Sequence, residues 1–297
     1  MVDMVAMQCA ELDMASFARQ ICAEPVIGGS DGLLYVVRVG DHYAMRMFNP
    51  DGTEAEMCGN GIRCVARLVE ERYEQKPEFI LTSGGGLFPT ARAEQIAEGI
   101  KAYGVDIAVR TASADFGFAT DGEPFIAKVI PSLDENLRFT ALNLGNPHIV
   151  AAVEEIDMEH LKSLGERVLT LKQEFPKGIN VSFYKSCGQD AIFVATYERG
   201  AGITYSCGTA MTASSTASVL IGMCRSDKDI DVYNRGGMVR CHCHIEGSDI
   251  TTRLTGNATY EWAGYVEWEA ERIKEVVRQE ECTLERDAYD SFVASIK

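Results

Sequence analysis

Apolar positions along the chain change period several times, and each change marks an element. After Asp13, a helix-capping residue, Met14, Phe17, Ala18 and Ile21 recur at helical spacing. Leu33 to Val37 is a β-branched and aromatic run, and a Gly40-Asp41 turn makes His42 to Phe48 its hairpin partner. Ile62, Val65, Ala66 and Val69 return to the helical period, in a helix expected to reach about Tyr73. Phe79 to Thr82 and Ala102 to Arg110 read as strands. From 111 to 136 the periodicity lapses into Gly, Asp and Pro, which sets a domain boundary near residue 120.

Past that boundary a similar order restarts. Phe139 to Leu144 is a strand, Gly145-Asn146-Pro147-His148 a tight turn, and Ile149 to Val153 a second strand. Asp157 caps a helix carrying Leu161, Leu164 and Val168. Ile179 to Tyr184 and Ala191 to Tyr197 are strands, and a helix of small residues spans Met211 to Met223. Gly236-Gly237 and Gly256-Asn257 separate the closing strands. The predicted organisation is a first domain over 1–120, a second over 121–266 and a helical extension over 267–297, where Tyr289, Phe292, Val293 and Ile296 form an apolar stripe.

Composition narrows the class. The 297 residues are 46% hydrophobic and 24% charged, as in a soluble globular protein. A formal charge of −16 argues against nucleic-acid or anionic-membrane partners. No apolar run reaches the roughly 18 residues of a membrane span, and the N-terminus lacks a basic region followed by an apolar core. The ten cysteines show no disulfide-framework spacing, which points to free thiols and a cytoplasmic location.

Two short stretches repeat. Cys58-Gly59-Asn60-Gly61 and Cys207-Gly208-Thr209-Ala210 each lead into a helix, and Asn49 and Glu198 each precede the respective cysteine by nine residues. A thiol at a helix N-terminus meets unpaired N–H groups and a positive dipole, which favour a thiolate and an anionic ligand. If two such helix ends faced each other, an amino-acid carboxylate could dock across them. One thiolate would then remove the α-proton while the opposite thiol protonates the other face. A cysteine near a helix is more often a small buried hydrophobe, and Cys9, Cys22, Cys64, Cys187, Cys224 and Cys282 are read that way. Cys241-His242-Cys243-His244 suggests zinc, but consecutive strand residues alternate faces and cannot enclose one ion, so no metal site is expected.

These segments resemble the diaminopimelate epimerase family of cofactor-independent, two-cysteine amino-acid epimerases. The matching residues are Phe48-Asn49 with Cys58 to Cys64, Gly145 to His148, Phe175-Pro176 through Asn180, and Glu198-Arg199-Gly200 with Cys207 to Thr209. Gly236-Gly237 and Leu254-Thr255-Gly256 match more weakly, so the resemblance extends to about Glu267. It implies an α+β fold of two pseudo-symmetric domains, each a mixed β-sheet curled around a central helix, with the active site in the interdomain cleft. It makes Cys58 and Cys207 the acid/base pair, tuned by His148 and Glu198. Gly59, Asn60, Gly208 and Thr209 would hold the reacting α-carboxylate. Asn49, Asn146, Asn180, Glu198 and Arg199 would read the amino groups and the distal carboxylate. The implied activity is interconversion of LL- and meso-2,6-diaminopimelate, without cofactor, in lysine and peptidoglycan precursor synthesis, with a homodimer as the implied assembly.

Three departures keep alternatives in view. Family members begin with a strand ending in Gly-Asn-Asp-Phe, which this chain lacks, so Met1-Val2-Asp3 is read as that strand's remnant and the start as set too late. Ile203 and Ala210 stand where the family more often has Glu and Gly. The tail beyond Glu267 is longer than usual and is expected to fold back on its own chain. The alternatives are an epimerase or racemase of another amino acid, and a catalytically impaired amino-acid-binding paralogue.

Overall fold

The computed structural model describes residues 1–5, 12–27, 29–55, 57–111, 116–118 and 123–296. The expected boundary at 120/121 and Cys9 lie outside them. The chain forms two compact units, Met1–Val105 with Asn257–Ser295, and Asp106–Gly256.

The first unit begins with β1 (Val2–Asp3), α1 (Met14–Ala23), β2 (Leu33–Val39), β3 (His42–Phe48) and β4 (Glu54–Ala55). It continues through α2 (Gly59–Val69), β5 (Glu78–Ser83), β6 (Gly86–Ala93) and β7 (Ala102–Val109), within which the chain leaves the unit. The sheet is mixed: β1 runs parallel to β2 and β3 parallel to β5, whereas β2–β3, β3–β4, β5–β6 and β6–β7 are antiparallel. The Asp13 side chain accepts from the Ser16 N–H and caps α1, as its position in sequence predicts. Val2 and Asp3 pair with Tyr35 and Val36, so this segment forms a short strand parallel to β2. The helix after Cys58 ends as α2 at Val69 and then widens into a π-type turn over Glu70–Glu74, closed by left-handed Gln75.

The second unit holds β8 (Lys128–Ile130), β9 (Asp134–Asn143), β10 (Pro147–Ala152), α3 (Met158–Val168), β11 (Asn180–Gly188), β12 (Ala191–Glu198) and β13 (Gly202–Thr204). It ends with α4 (Gly208–Leu220), β14 (Asp229–Asn234), β15 (Gly237–Glu246) and β16 (Asp249–Asn257). Its strands run in the order β16-β15-β14-β12-β11-β10-β9-β8, with β10–β11 and β12–β14 parallel. Every residue of α4 from Gly208 to Val219 is buried, and the helix packs on β9, β10, β11, β12, β14 and β15. That is why its sequence is small all round. A one-sided helix would carry an apolar stripe, whereas an enclosed one needs side chains that let strands approach from several directions.

The internal repeat is now visible element by element. Each unit contains a strand, a helix and a parallel strand in succession (β1-α1-β2, and β10-α3-β11 after β8 and β9). An antiparallel strand with a short antiparallel arm follows (β3-β4 and β12-β13). A Cys-Gly helix then crosses to a strand parallel to the one before the arm (α2 to β5, α4 to β14).

The tail departs from the helical reading. It is a hairpin, β17 (Trp262–Glu269) with β18 (Arg272–Glu281), and only then a helix, α5 (Thr283–Ser295). Ile273 and Val276 are spaced as on a helix, but the register shift between Glu267 and Trp268 adds one residue to β18 at Lys274 and turns both to one face. That face, with Val266 and Trp268, packs on the core of Phe17, Ile21 and Tyr35. The tail thus folds back on its own chain. Its helix is held by Glu285, which grips Arg67 of α2 with both oxygens, while Arg67 also donates to Glu71 and to the Ala258 carbonyl and lies 3.7 Å over the Tyr260 ring. The Arg67 side chain is only 5% exposed and Glu285 17%. Glu285→Ala should therefore destabilise the protein by about 2–3 kcal/mol, below the usual cost of orphaning a buried charge because Glu71 remains. An unchanged urea midpoint would count against this clamp.

Candidate active site

In the first unit Cys58 is the N-cap of α2. Its backbone is extended, and its Sγ accepts the Gly61 N–H at 3.3 Å. A Cβ at residue 61 would stand 2.7 Å from a Leu34 methyl and 3.2 Å from the Cys58 sulfur, so a side chain there would crowd the thiol at the turn. Gly59 and Asn60 form the first turn, and Arg63 donates to the Gly59 carbonyl at 2.9 Å and to Asn60 Oδ1 at 3.2 Å. Asn49 closes the turn before β4, donating its N–H to the Thr53 carbonyl (2.8 Å) and its Nδ2 to Thr53 Oγ1 (2.9 Å).

In the second unit the parallel register sets His148 beside Asn180, and the end of β12 brings Glu198 and Arg199 to the same region. Asn146 Nδ2 donates to Thr209 Oγ1 at 3.2 Å, which leaves its oxygen as the acceptor 3.1 Å from His148 Nε2. A ring protonated on Nε2 donates to that oxygen. Nε2 is also 3.1 Å from Thr209 Oγ1 and 3.4 Å from Asn180 Nδ2. Thr209, with its oxygen occupied, can turn its own proton toward the Cys207 sulfur, 3.5 Å away. Asn180 Oδ1 accepts the Arg199 N–H at 2.9 Å, and the Arg199 side chain bonds the Lys177 carbonyl. Gly178, at φ +70°, makes room: a Cβ there would stand 2.7 Å from Arg199 Cδ. Thr204 donates to Glu198 at 2.5 Å. Asn146, His148, Thr209 and Cys207 thus form one hydrogen-bonded chain, Asn180 and Arg199 form a bonded pair beside His148, and Gly208 is the first residue of α4.

A family model described as diaminopimelate epimerase matches residues 1–103 and 140–261, well over half of the chain. The chain belongs to the diaminopimelate epimerase family. It is 36% identical to a diaminopimelate epimerase of Clostridium acetobutylicum over 93% of this chain and 84% of that one. It is 33% identical to one from Listeria monocytogenes over 98% of this chain and 90% of that one. In fold it is similar to a phenazine biosynthesis protein of the PhzF family from Bacillus anthracis, with TM-score 0.59 and 16% identity over 84% of this chain and 86% of that one.

Against the family's thiol chemistry, the electrostatics correct one sequence expectation. Both thiols were expected to titrate low at their helix ends, and both are instead raised. Burial pushes Cys58 up, opposed by the Gly61 N–H and the Arg63 charge. Burial pushes Cys207 up further, helped by the Glu198 carboxylate and opposed by the Thr209 hydroxyl and the Ala210 N–H. Helix position lowers a thiol that water can also reach, whereas removal of water favours the neutral form more strongly. His148 is driven down to about 3, by burial first and by the Arg199 charge second. A neutral ring at physiological pH can affect Cys207 only by orienting Thr209, not by its charge.

The fold also places two further features singled out in the sequence. Ile203 pairs with Tyr197 and packs on the core of the second unit, so its side chain is structural. Cys241 and Cys243 are fully buried, while His242 and His244 face outward against Asp229 and Asp227, which is the strand alternation expected of them. Arg63 and Thr204 were not singled out in sequence as site residues. Arg63 lies inside the first cysteine motif, and Thr204 is six residues beyond Glu198 at the arm that folds back on it.

Proposed function

We propose that the protein interconverts LL- and meso-2,6-diaminopimelate by a two-base mechanism without a cofactor, in lysine and peptidoglycan precursor synthesis. The observation that carries this is the pair of cysteines, each at the N-cap of the helix in the same position of a repeated unit. The α-carboxylate docks on the first turns of α2 and α4, at Gly59-Asn60 and Gly208-Thr209, where N–H groups point outward from each helix end. One cysteine, as thiolate, takes the α-proton. The C–H electron pair passes into the carboxylate, and the opposite S–H protonates the other face, which inverts the carbon. Asn49, Asn146, Asn180, Glu198 and Arg199 read the remaining amino groups and the distal carboxylate. Arg199 supplies the planar fork and Glu198 the acceptor for ammonium.

His148 and Glu198 set the protonation of Cys207. Glu198 favours its neutral form, ready to donate, and the His148-Thr209 chain offers a hydrogen bond to its anionic form. The cysteines among the described residues are free thiols, in keeping with work in the cytoplasm, and a homodimer is the assembly proposed with it. The test is incubation with LL-diaminopimelate in deuterated water. Deuterium at the inverted α-carbon together with meso product is the expected result, and absence of both exchange and product would remove this reading.

A further inference from the structure

Arg63 is a cation only 3% exposed, and it sits where a helix of this kind would ordinarily show an apolar residue. Arg63 and Arg67 lie on one face of α2, four residues apart. Arg67 is held by the Glu71 and Glu285 carboxylates, and among the described residues the Arg63 guanidinium reaches three oxygens. Nε donates to the Asn257 carbonyl at 3.3 Å, at the end of β16; Nη1 donates to the Gly59 carbonyl at 2.9 Å; and Nη2 donates to Asn60 Oδ1 at 3.2 Å. The last two return to the first turn of its own helix, to Gly59 and Asn60 next to Cys58.

The third bond decides which way the Asn60 carboxamide faces. A guanidinium has donors only. It can accept the amide with the oxygen toward it, and the reversed amide would set N–H against N–H. With Oδ1 held by Arg63, the amide nitrogen and its two donors point away from the guanidinium. The backbone N–H groups of the same turn are donors as well, and Gly61 spends its own on the Cys58 sulfur. Reversal of the amide would place a carbonyl oxygen among them, which repels a carboxylate.

We propose that Arg63 is a positioning residue: its guanidinium fixes the flip of the Asn60 carboxamide, so that the first turn of α2 presents donors alone to the substrate's α-carboxylate. This rests on the epimerase reading and the carboxylate position given there. The bond from Arg63 Nε to the Asn257 carbonyl anchors the guanidinium, so the side chain acts as a strut between the end of β16 and the turn that carries Cys58.

The experiment is a double-variant cycle on the full chain, with Arg63→Met, Asn60→Ala and the pair, measured as kcat and KM for LL-diaminopimelate alongside the melting temperature. Arg63→Met should lower kcat/KM by roughly 10- to 100-fold, the worth of one charge-assisted hydrogen bond, with most of the loss in KM. In the Asn60→Ala background the same substitution should cost less than about threefold, because the group it orients is gone. Arg63→Lys, which keeps the charge and loses the fork, serves if the methionine variant does not fold, and it should show the same dependence on Asn60. Additive losses, or a lowered melting temperature with KM unchanged, would assign Arg63 a purely structural role and overturn the proposal. A wild type that exchanges no α-proton removes the epimerase reading and this inference together. Turnover by the wild type with additive losses removes the inference alone.

Discussion

Cys58→Ala and Cys207→Ala should each lower net epimerisation of diaminopimelate by about 10²–10⁴-fold or more, the usual worth of a positioned acid or base. Both variants should keep near-native melting, since each removes one sulfur from a helix cap and leaves its glycine and first turn in place. The diagnostic result is asymmetric. With two bases, a single-cysteine variant can still remove the α-proton of the epimer that presents it to the surviving sulfur, but it cannot deliver a proton to the opposite face. Each variant should therefore wash deuterium into one epimer without inverting it, and the two variants should prefer opposite epimers. A one-base enzyme would instead lose all exchange in one variant and little in the other. Serine should rescue neither position, because a hydroxyl titrates far above the thiol's ordinary value of about 8.5 and is a poor base. Following α-proton exchange by NMR for both epimers in both variants distinguishes these cases. Retention of a tenth or more of wild-type inversion by either alanine variant would exclude that cysteine from the proton-transfer step.

Most elements were legible because burial imposes a period on the sequence, and the places that resisted are those where the period was locally broken. Alternation and capping placed α1, β2, β3, α3 and β12 close to their observed limits, while β11 runs four residues further than expected, to Gly188. Strand β6 was passed over because Pro89 lies within it and a glycine run precedes it; the strand nevertheless pairs along both edges, with Pro89 opposite Ile80. Strand β18 lies in the extension read as helical from the Tyr289, Phe292, Val293 and Ile296 stripe alone, and its own bulge, which spaces Ile273 and Val276 by three, hides the strand alternation. The tail's attachment was hidden for another reason. Arg63 and Arg67 look like the solvent side of an amphipathic helix, and nothing local shows that Asn257, Ala258 and Glu285, nearly two hundred residues or more away, cover that side.

The candidate site was legible to a different depth. Repetition of Cys-Gly at matched distances from Asn49 and Glu198 located the two caps, and the repeat is borne out by the order and pairing of the elements around them. Spacing gives position but not burial, so the direction of the thiol shifts could not be read from it. A helix end alone favours the thiolate; the same helix end packed away from water favours the thiol. The hydrogen-bonded chain from Asn146 to Cys207 was equally out of reach, since it depends on which end of each amide faces its neighbour.

Stability should drain away below neutral pH at a rate set in part by His148. The buried ring titrates at about 3 when folded, against an ordinary 6.5. Between those values the unfolded chain binds a proton that the folded one refuses, so stability rises with pH across the window. The contribution is fully present above pH 6.5, falls by about 1.4 kcal/mol per pH unit as the solution is acidified, and is lost below pH 3, a total on the order of 5 kcal/mol. Urea unfolding of the wild type and of His148→Gln at pH 7, 5.5 and 4.5 isolates this, because the carboxylates contribute equally to both proteins. Glutamine can donate to Asn146 but cannot be protonated, so the variant should show the shallower dependence, and equal slopes would mean that the ring is not held neutral. The same shift constrains catalysis. With His148 uncharged throughout the working range and both thiols raised, kcat/KM should climb from pH 7 past 9, as the free enzyme's base is deprotonated, with no inflection near 6.5. An inflection at 6.5 that disappears in His148→Gln would restore to the imidazole a charged role that its burial denies it.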